Sequence, residues 1–304
     1  MRIGRRRFLA ASAIAAGLAP LVGCSSRGSA VSFGVVADPQ YADIPNRGSR
    51  CYRGSVRKLT EAVAEFNRRD LDFCVNLGDA IDRGWESFDA IMAPLAAARA
   101  PWRHVLGNHD FAVDAARVAQ VPVRLGVPSR RAFFDVSGFR FVILDSNAVS
   151  AYAHPAGSPE RAAALQELAL LKVAKVPQAF DWNGGFGAEQ LQWLDRLAAE
   201  AESGGLRVVV FAHHPLLPAR AHVAWDAPAA LDAVLRRRSI VAWLCGHDHA
   251  GAYAERAGVH FVTFHGMVET PDQNAYAFVR IEGRRLVIEG RGREPSRDLR
   301  LRPA

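Results

Sequence analysis

Five short apolar runs, each closing on a polar cluster, constrain this chain more than any other feature. They are VSFGVVADPQ, ending at Asp38 and Gln40; DFCVNLGD, at Asp79; WRHVLGNHD, at Asn108 and His109; RVVVFAHH, at His213; and IVAWLCGHDH, at His247 and His249. Each has the length and the β-branched or aromatic content of a buried strand, which predicts that all five clusters sit at strand carboxyl ends. Open α/β sheets bind their ligands there. One Asp or His at a strand end is ordinary turn chemistry. Five such ends, offering carboxylate, amide and imidazole in a fixed order, suit a pair of metal ions.

The 304 residues are 50% hydrophobic and 23% charged, enough for a domain with a sizeable core and ordinary for a water-exposed surface. The formal charge is +7, but Arg2, Arg5, Arg6 and Arg7 supply four of those charges, and without them +3 remains. No basic and aromatic residues interleave as a nucleic-acid surface requires, so no nucleic-acid partner is expected.

The N-terminus reads as a targeting segment, set apart from the fold. Arg5-Arg6-Arg7-Phe8-Leu9 resembles a twin-arginine export signal, and the apolar stretch from Phe8 to Val22 is shorter than a spanning helix. It runs into Leu21-Val22-Gly23-Cys24, which resembles a bacterial lipobox. The expected organisation is a signal peptide over 1–23, a lipidated tether over 24–30 and one domain over 31–304. An acylated Cys24 would anchor that domain to a membrane surface facing the periplasm or cell exterior. The odd set Cys51, Cys74 and Cys245 is no disulfide framework.

Along the domain, strand and helix signals alternate. Val56, Leu59, Val63 and Phe66 recur at helical spacing between the first two runs. Phe133–Val136 and Arg140–Asp145 read as a hairpin. Glu160–Val173 and Gly187–Ala199 read as helices, and Asp226 with Pro228 reads as the capped start of another. After His249 only strands follow. The segment 146–186 is the least regular and is expected to serve as a lid or binding loop.

Asp38-x-Gln40, Gly78-Asp79-x-x-Asp82, Gly107-Asn108-His109-Asp110, His213 and Gly246-His247-x-His249 together resemble the calcineurin-like metallophosphoesterases. The resemblance implies an α/β fold of two packed mixed β-sheets flanked by helices, an α/β/β/α sandwich. It implies one metal held by Asp38, Gln40, Asp79 and His249, and a second by Asp79, Asn108, His213 and His247, with Asp79 bridging. His109 would then be the acid for the leaving group, with Asp82 and Asp110 orienting neighbouring groups. Gln40 stands where the broad family has His, which favours Mn²⁺ or Mg²⁺ over Zn²⁺. Asp82 stands where purple acid phosphatases carry a tyrosine ligand.

A narrower resemblance is carried by Asp38-Pro-Gln40-Tyr41-Ala42-Asp43, Asn183-Gly184-Gly185-Phe186, His222-Val223-Ala224-Trp225, Val268-Glu269-Thr270 and Gly290-Arg291-Gly292-Arg293. These are similar to blocks of the manganese-dependent ADP-ribose/CDP-alcohol diphosphatases. That implies hydrolysis of a small nucleoside diphosphate-linked substrate with two divalent ions, Mn²⁺ first and Mg²⁺, Fe²⁺ or Zn²⁺ as alternatives. It also suggests Tyr41, Asn183, Gly184, Gly185 and Phe186 as substrate contacts. A cyclic-nucleotide or general phosphodiesterase, and a non-catalytic envelope lipoprotein, are the competing expectations.

Overall fold

The computed structural model describes residues 30–127 and 129–303; the export signal and Cys24 lie outside the described residues. The elements in chain order are β1 (Ala30–Val36), α1 (Ser55–Phe66), β2 (Phe73–Asn76), α2 (Ser87–Ala96), β3 (Trp102–His104), α3 (Val121–Arg124), β4 (Ala132–Val136), β5 (Phe139–Ile143), α4 (Pro159–Val173), α5 (Ala188–Ser203), β6 (Arg207–Phe211), α6 (Ala227–Arg236), β7 (Ile240–Cys245), β8 (Ala252–Arg256), β9 (Val259–Thr263), β10 (Ala275–Glu282), β11 (Arg285–Gly292) and β12 (Arg297–Arg300). Ala30, expected in the tether, already pairs with Glu282 in β1.

The strands form two six-stranded mixed sheets, ordered β12-β11-β10-β1-β2-β3 and β4-β5-β6-β7-β9-β8. The expected strands all form, and the hairpin is β4–β5, antiparallel from Ala132↔Ile143 to Val136↔Phe139. Within each sheet the strands that carry the polar clusters run parallel to one another. Their carboxyl ends therefore open on one edge.

Alternation along the strands creates the layers. Val31, Phe33 and Val35 of β1 face Phe141, Val209, Phe211 and Leu244 of the other sheet in one core. At its centre Phe33 stacks on Phe73 with centroids 4.7 Å apart and meets Phe141 and Phe211 edge-on. The opposite faces pack on helices. Leu59, Val63 and Phe66 of α1 with Ile91 and Leu95 of α2 cover Val36 and Cys74. Leu194 and Leu197 of α5 with Leu231 and Val234 of α6 cover Val208, Val210 and Trp243. The result is the α/β/β/α sandwich.

One local expectation is corrected. Asp226 does not cap α6; its carboxylate accepts from the Phe186 and Gly187 amides (2.9–3.1 Å) and so closes the turn into α5. Pro228 lacks an N–H, and Asp226 turns to unpaired donors nearby instead.

Candidate metal centre

The turns after β1, β2, β3, β6 and β7 carry Asp38 and Gln40, Asp79, Asn108 and His109, His213, and His247 and His249, and the fold brings all of them together. The backbone is strained where they meet. Of eight described non-glycine residues with positive φ, four are Asp38, Gln40, Asp79 and His247. Each such conformation costs roughly 1–3 kcal/mol, and strain of this kind gathers at functional sites. Gly107 permits the closest approach: a Cβ there would stand 2.1 Å from Asp79 Oδ1.

Asp79 Oδ2 is the hub. On one side it lies 2.9 Å from Gln40 Nε2, which is 3.0 Å from His249 Nε2, itself 3.5 Å from Asp38 Oδ1. On the other side it lies 3.3 Å from His213 Nε2, which is 3.1 Å from Asn108 Oδ1 and 3.2 Å from His247 Nδ1. One carboxylate oxygen thus faces two separate donor groups. Asp79, His213 and His247 alone offer three ligand atoms within 4.8 Å of one another.

These residues fit a metal pair. Gln40 Oε1 is buried without a hydrogen-bond partner. Turning the amide over places that oxygen between Asp79 Oδ2 and His249 Nε2, a convergence of lone pairs that a cation satisfies. All three imidazoles are also held by their far nitrogens. His213 Nδ1 donates to the Leu77 carbonyl (2.8 Å), His247 Nε2 to Asn183 Oδ1 (2.8 Å) and His249 Nδ1 to Glu269 Oε1 (2.7 Å). The nitrogens left over are the ones that face the hub, the arrangement that orients imidazole ligands.

The electrostatics show the same need for positive charge. Burial opposes protonation of His213 and His249, yet the carboxylate of Asp79 beside the first, and those of Asp38 and Glu269 beside the second, raise both to about 9. Protons thus balance the anionic groups when no ion does. His247 is pushed well below the ordinary imidazole range by burial and by His214 and His213, so it is neutral and ready to ligate.

His109 stands apart from the hub. Its backbone amide donates to Asp79 Oδ1 (2.8 Å), while its ring Nδ1 sits 3.1 Å from the Asp82 carbonyl and 3.2 Å from Asp82 Oδ1. Burial disfavours the imidazolium, but Asp79 and Asp82 outweigh it and raise the pKa. Asp110 holds backbone: its carboxylate accepts from the amides of Asp79, Ile81 and Gly107, joining the β2 and β3 turns.

The glycine-rich block differs from expectation. Phe186 is 1% exposed and packs edge-on against Trp243, so it offers no stacking face. The Gly185, Phe186 and Gly187 amides are taken by Val149 and Asp226, a Cβ at Gly184 would collide with the Ser146 carbonyl, and one at Gly185 would press on the Asp226 carboxylate. Close packing, not phosphate contact, requires these glycines. Asn183 is fully buried, donating to the Gln178 and Ala221 carbonyls while orienting His247. Tyr41 is half-buried, its ring against the core beneath α1 and its backbone bridged to Ile81. Trp182, beside Asn183 in sequence, is 39% exposed and stacked at 4.1 Å on Phe180, which is exposed as well. The half-buried His222 ring lies 5.5 Å from that of His247.

Sequence reasoning gave Glu269 and Lys58 no role. Glu269 lies in a turn without periodicity, where only a quoted block, Val268-Glu269-Thr270, marked it. Lys58 is a fully buried cation on α1 whose Nζ donates to the carbonyls of Met267 (2.9 Å), Glu269 (2.7 Å) and Thr270. It fixes the turn that carries the Glu269 carboxylate to His249. His104 is half-buried against Trp102 with Nδ1 unpartnered.

Comparison with known proteins gives a consistent result. Residues 31–251 match the calcineurin-like phosphoesterase family. The chain is 31% identical to the manganese-dependent ADP-ribose/CDP-alcohol diphosphatase of Danio rerio, covering 86% of this chain and 95% of that protein. It is 30% identical to the protein of the same name from Arabidopsis thaliana, covering 91% and 99%. A crystal structure of a dimetal phosphatase from Danio rerio superposes with a TM-score of 0.80 at 28% identity, covering 90% of this chain and 99% of that one.

Proposed function

This chain belongs to the calcineurin-like phosphoesterase family, and from that premise we propose that it hydrolyses the phosphoanhydride of ADP-ribose and CDP-alcohols with Mn²⁺ as its preferred ion. ADP-ribose would give AMP and ribose 5-phosphate, and CDP-choline would give CMP and phosphocholine. The observation that carries the reading is the single Asp79 oxygen shared by two donor groups, with the His109 backbone amide held on the other oxygen of the same carboxylate. Relatives named for this reaction match nearly the whole domain.

Two divalent ions held by Asp38, Gln40, Asp79, Asn108, His213, His247 and His249 would polarise a phosphoryl oxygen and make water nucleophilic near neutral pH. The chain's residues do the rest. Asp79 holds charge between the two donor groups, and the far-side hydrogen bonds keep each imidazole aimed inward. Water oxygen joins one phosphorus and gives up a proton to solvent, while the bond from that phosphorus to the bridging oxygen breaks with its electron pair. His109, whose imidazolium form Asp79 and Asp82 favour, would give its proton to the departing phosphate oxygen. His222, whose ring lies 5.5 Å from that of His247, and the exposed Trp182 next to Asn183 in sequence are the proposed surfaces for the nucleotide in place of Phe186.

The export signal and the acylated Cys24 belong to the same proposal, supported by residue order alone. No helix among the described residues is long and apolar enough to cross a membrane.

The test is product formation from ADP-ribose, CDP-choline and cyclic AMP with Mn²⁺, Mg²⁺ or chelator. AMP and CMP released only with metal, and fastest with Mn²⁺, are expected. Turnover of cyclic AMP alone would replace this reading with the phosphodiesterase one.

A further inference from the structure

The pole opposite the metal centre collects four arginines for which no ion pair forms among the described residues, although Glu202 acts on Arg302 from a distance. Arg207 opens β6, Arg238 precedes β7, Arg284 lies in the β10–β11 turn and Arg302 follows β12. Because β6 and β7 run parallel, their amino ends and the β10–β11 turn share the pole where β1 begins, since Ala30 pairs with Glu282.

The arginines bind backbone instead of acids. Arg207 donates to the Gly283 carbonyl and Arg284 to that of Leu301 (3.0 Å). Arg302 donates to the carbonyls of Arg238 (3.1 Å), Ala257 (2.9 Å), Ile240 (2.7 Å) and Arg237. These bonds pin the group together across both sheets without cancelling its charge. Four acids there are engaged elsewhere: Glu202 with Arg237 and the Ser239 amide, Glu282 with Arg280, Asp298 with Arg285, and Asp72 with the Ser32 amide. Burial, and then the neighbouring cation, makes Arg207 and Arg302 less basic than usual, Arg284 acting on the first and Arg238 on the second. Arg238 and Arg284 are exposed.

We propose that this arginine pole is a docking surface for an anionic phospholipid membrane, seating the domain with its metal centre turned to the water. Charge complementarity argues for the occupant, because uncompensated arginines near a surface of lipid phosphates are attracted over about a Debye length. Chain length argues for it independently. Cys24 precedes Ala30 by six residues, a reach of at most roughly 20 Å. An anchor there places this pole, and not the metal centre, against the bilayer. The charge alone suffices for docking, so the proposal stands whether or not Cys24 is acylated. Its consequence is that substrates arrive from solution.

The test uses the chain from Ser25 onward, which contains both sheets and every core cluster. Its co-sedimentation with phosphatidylcholine vesicles is compared with and without phosphatidylglycerol, at low and high salt. Binding only to the anionic vesicles, lost at high salt, is expected. Arg238→Glu with Arg284→Glu should weaken it by about tenfold or more. The control pair Arg47→Glu with Arg117→Glu carries the same net charge and should keep it. AMP release from ADP-ribose in solution should not change in R238E/R284E, which separates this proposal from the choice of substrate. Equal binding to neutral vesicles, no binding, or equal loss in the control pair would each overturn it.

Discussion

Asp82 and His109 form a pair whose value depends on proton position. Removing the imidazole by His109→Ala takes away the leaving-group proton but no hub atom. The rate of AMP release should fall by about 10²–10⁴-fold. Mn²⁺ content, measured by atomic absorption, should stay at the wild-type level; loss of the ion would make His109 a ligand instead. Lys58 and Glu269 act in series on His249. Glu269→Gln should weaken Mn²⁺ binding by about 10–100-fold, and adding Lys58→Met should cost little more, because both act through one contact. Additive losses in a double-mutant cycle would contradict the series.

The imidazoles also give the metal-free protein a pH signature. His213 and His249 are raised to about 9 from an ordinary value of about 6.5. The folded state therefore binds protons that the unfolded state has released, so this stabilisation is full below about 6.5 and is lost as pH climbs to about 9. Lys58, lowered to about 8 chiefly by burial, works in the opposite direction above that pH. Thermal melts in chelator should consequently fall between pH 6.5 and 8. With saturating Mn²⁺ the fall should vanish, since ions replace the protons. A metal-free melting temperature that rises over that window would refute the assignment.

At the scale of elements, the five strand ends were legible because, although one apolar run stopping at Asp, Asn or His is ordinary turn chemistry, five of them together have few other uses. Helix α1 was legible from its periodicity. What could not be read was pairing across long separations. Nothing local in Ala30–Val36 announces that its neighbours are β2 and the distant β10. The same limit hid Asp226, whose partners lie in the turn before α5, and Phe186, whose aromatic ring looks the same in sequence whether stacked on a ligand or sealed against Trp243. The ends of segment 146–186 touch the site through Ser146–His214 and Asn183–His247, whereas its helix α4 is largely exposed. Substitution of the exposed Trp182 by Ala should raise KM for ADP-ribose several-fold with little change in kcat, the loss of about 1–3 kcal/mol of base stacking at most. An unchanged KM would remove Trp182 from the nucleotide subsite. In the core, Phe211→Ala deletes a ring that meets Phe33 and Phe141 between the sheets, and should lower unfolding stability by about 3–5 kcal/mol in a denaturant melt.

The molecule as a whole is polar in function: parallel strands deliver their carboxyl ends to the metal centre and their amino ends to an arginine surface. Net charge had concealed that surface, because a modest sum says nothing of where its terms lie. Asp79 joins the two halves of the account, since it belongs to the first sheet while its shared oxygen reaches His213 and, through it, His247 of the second. The measurement that tests this most directly is Mn²⁺ stoichiometry and spin coupling by electron paramagnetic resonance, followed alongside AMP release from ADP-ribose, in the wild-type chain and in Asp79→Asn. Two coupled ions per chain, with both coupling and AMP release lost in D79N, are the predicted result. A single ion in the active wild type, or a D79N chain that keeps two coupled ions, would contradict it.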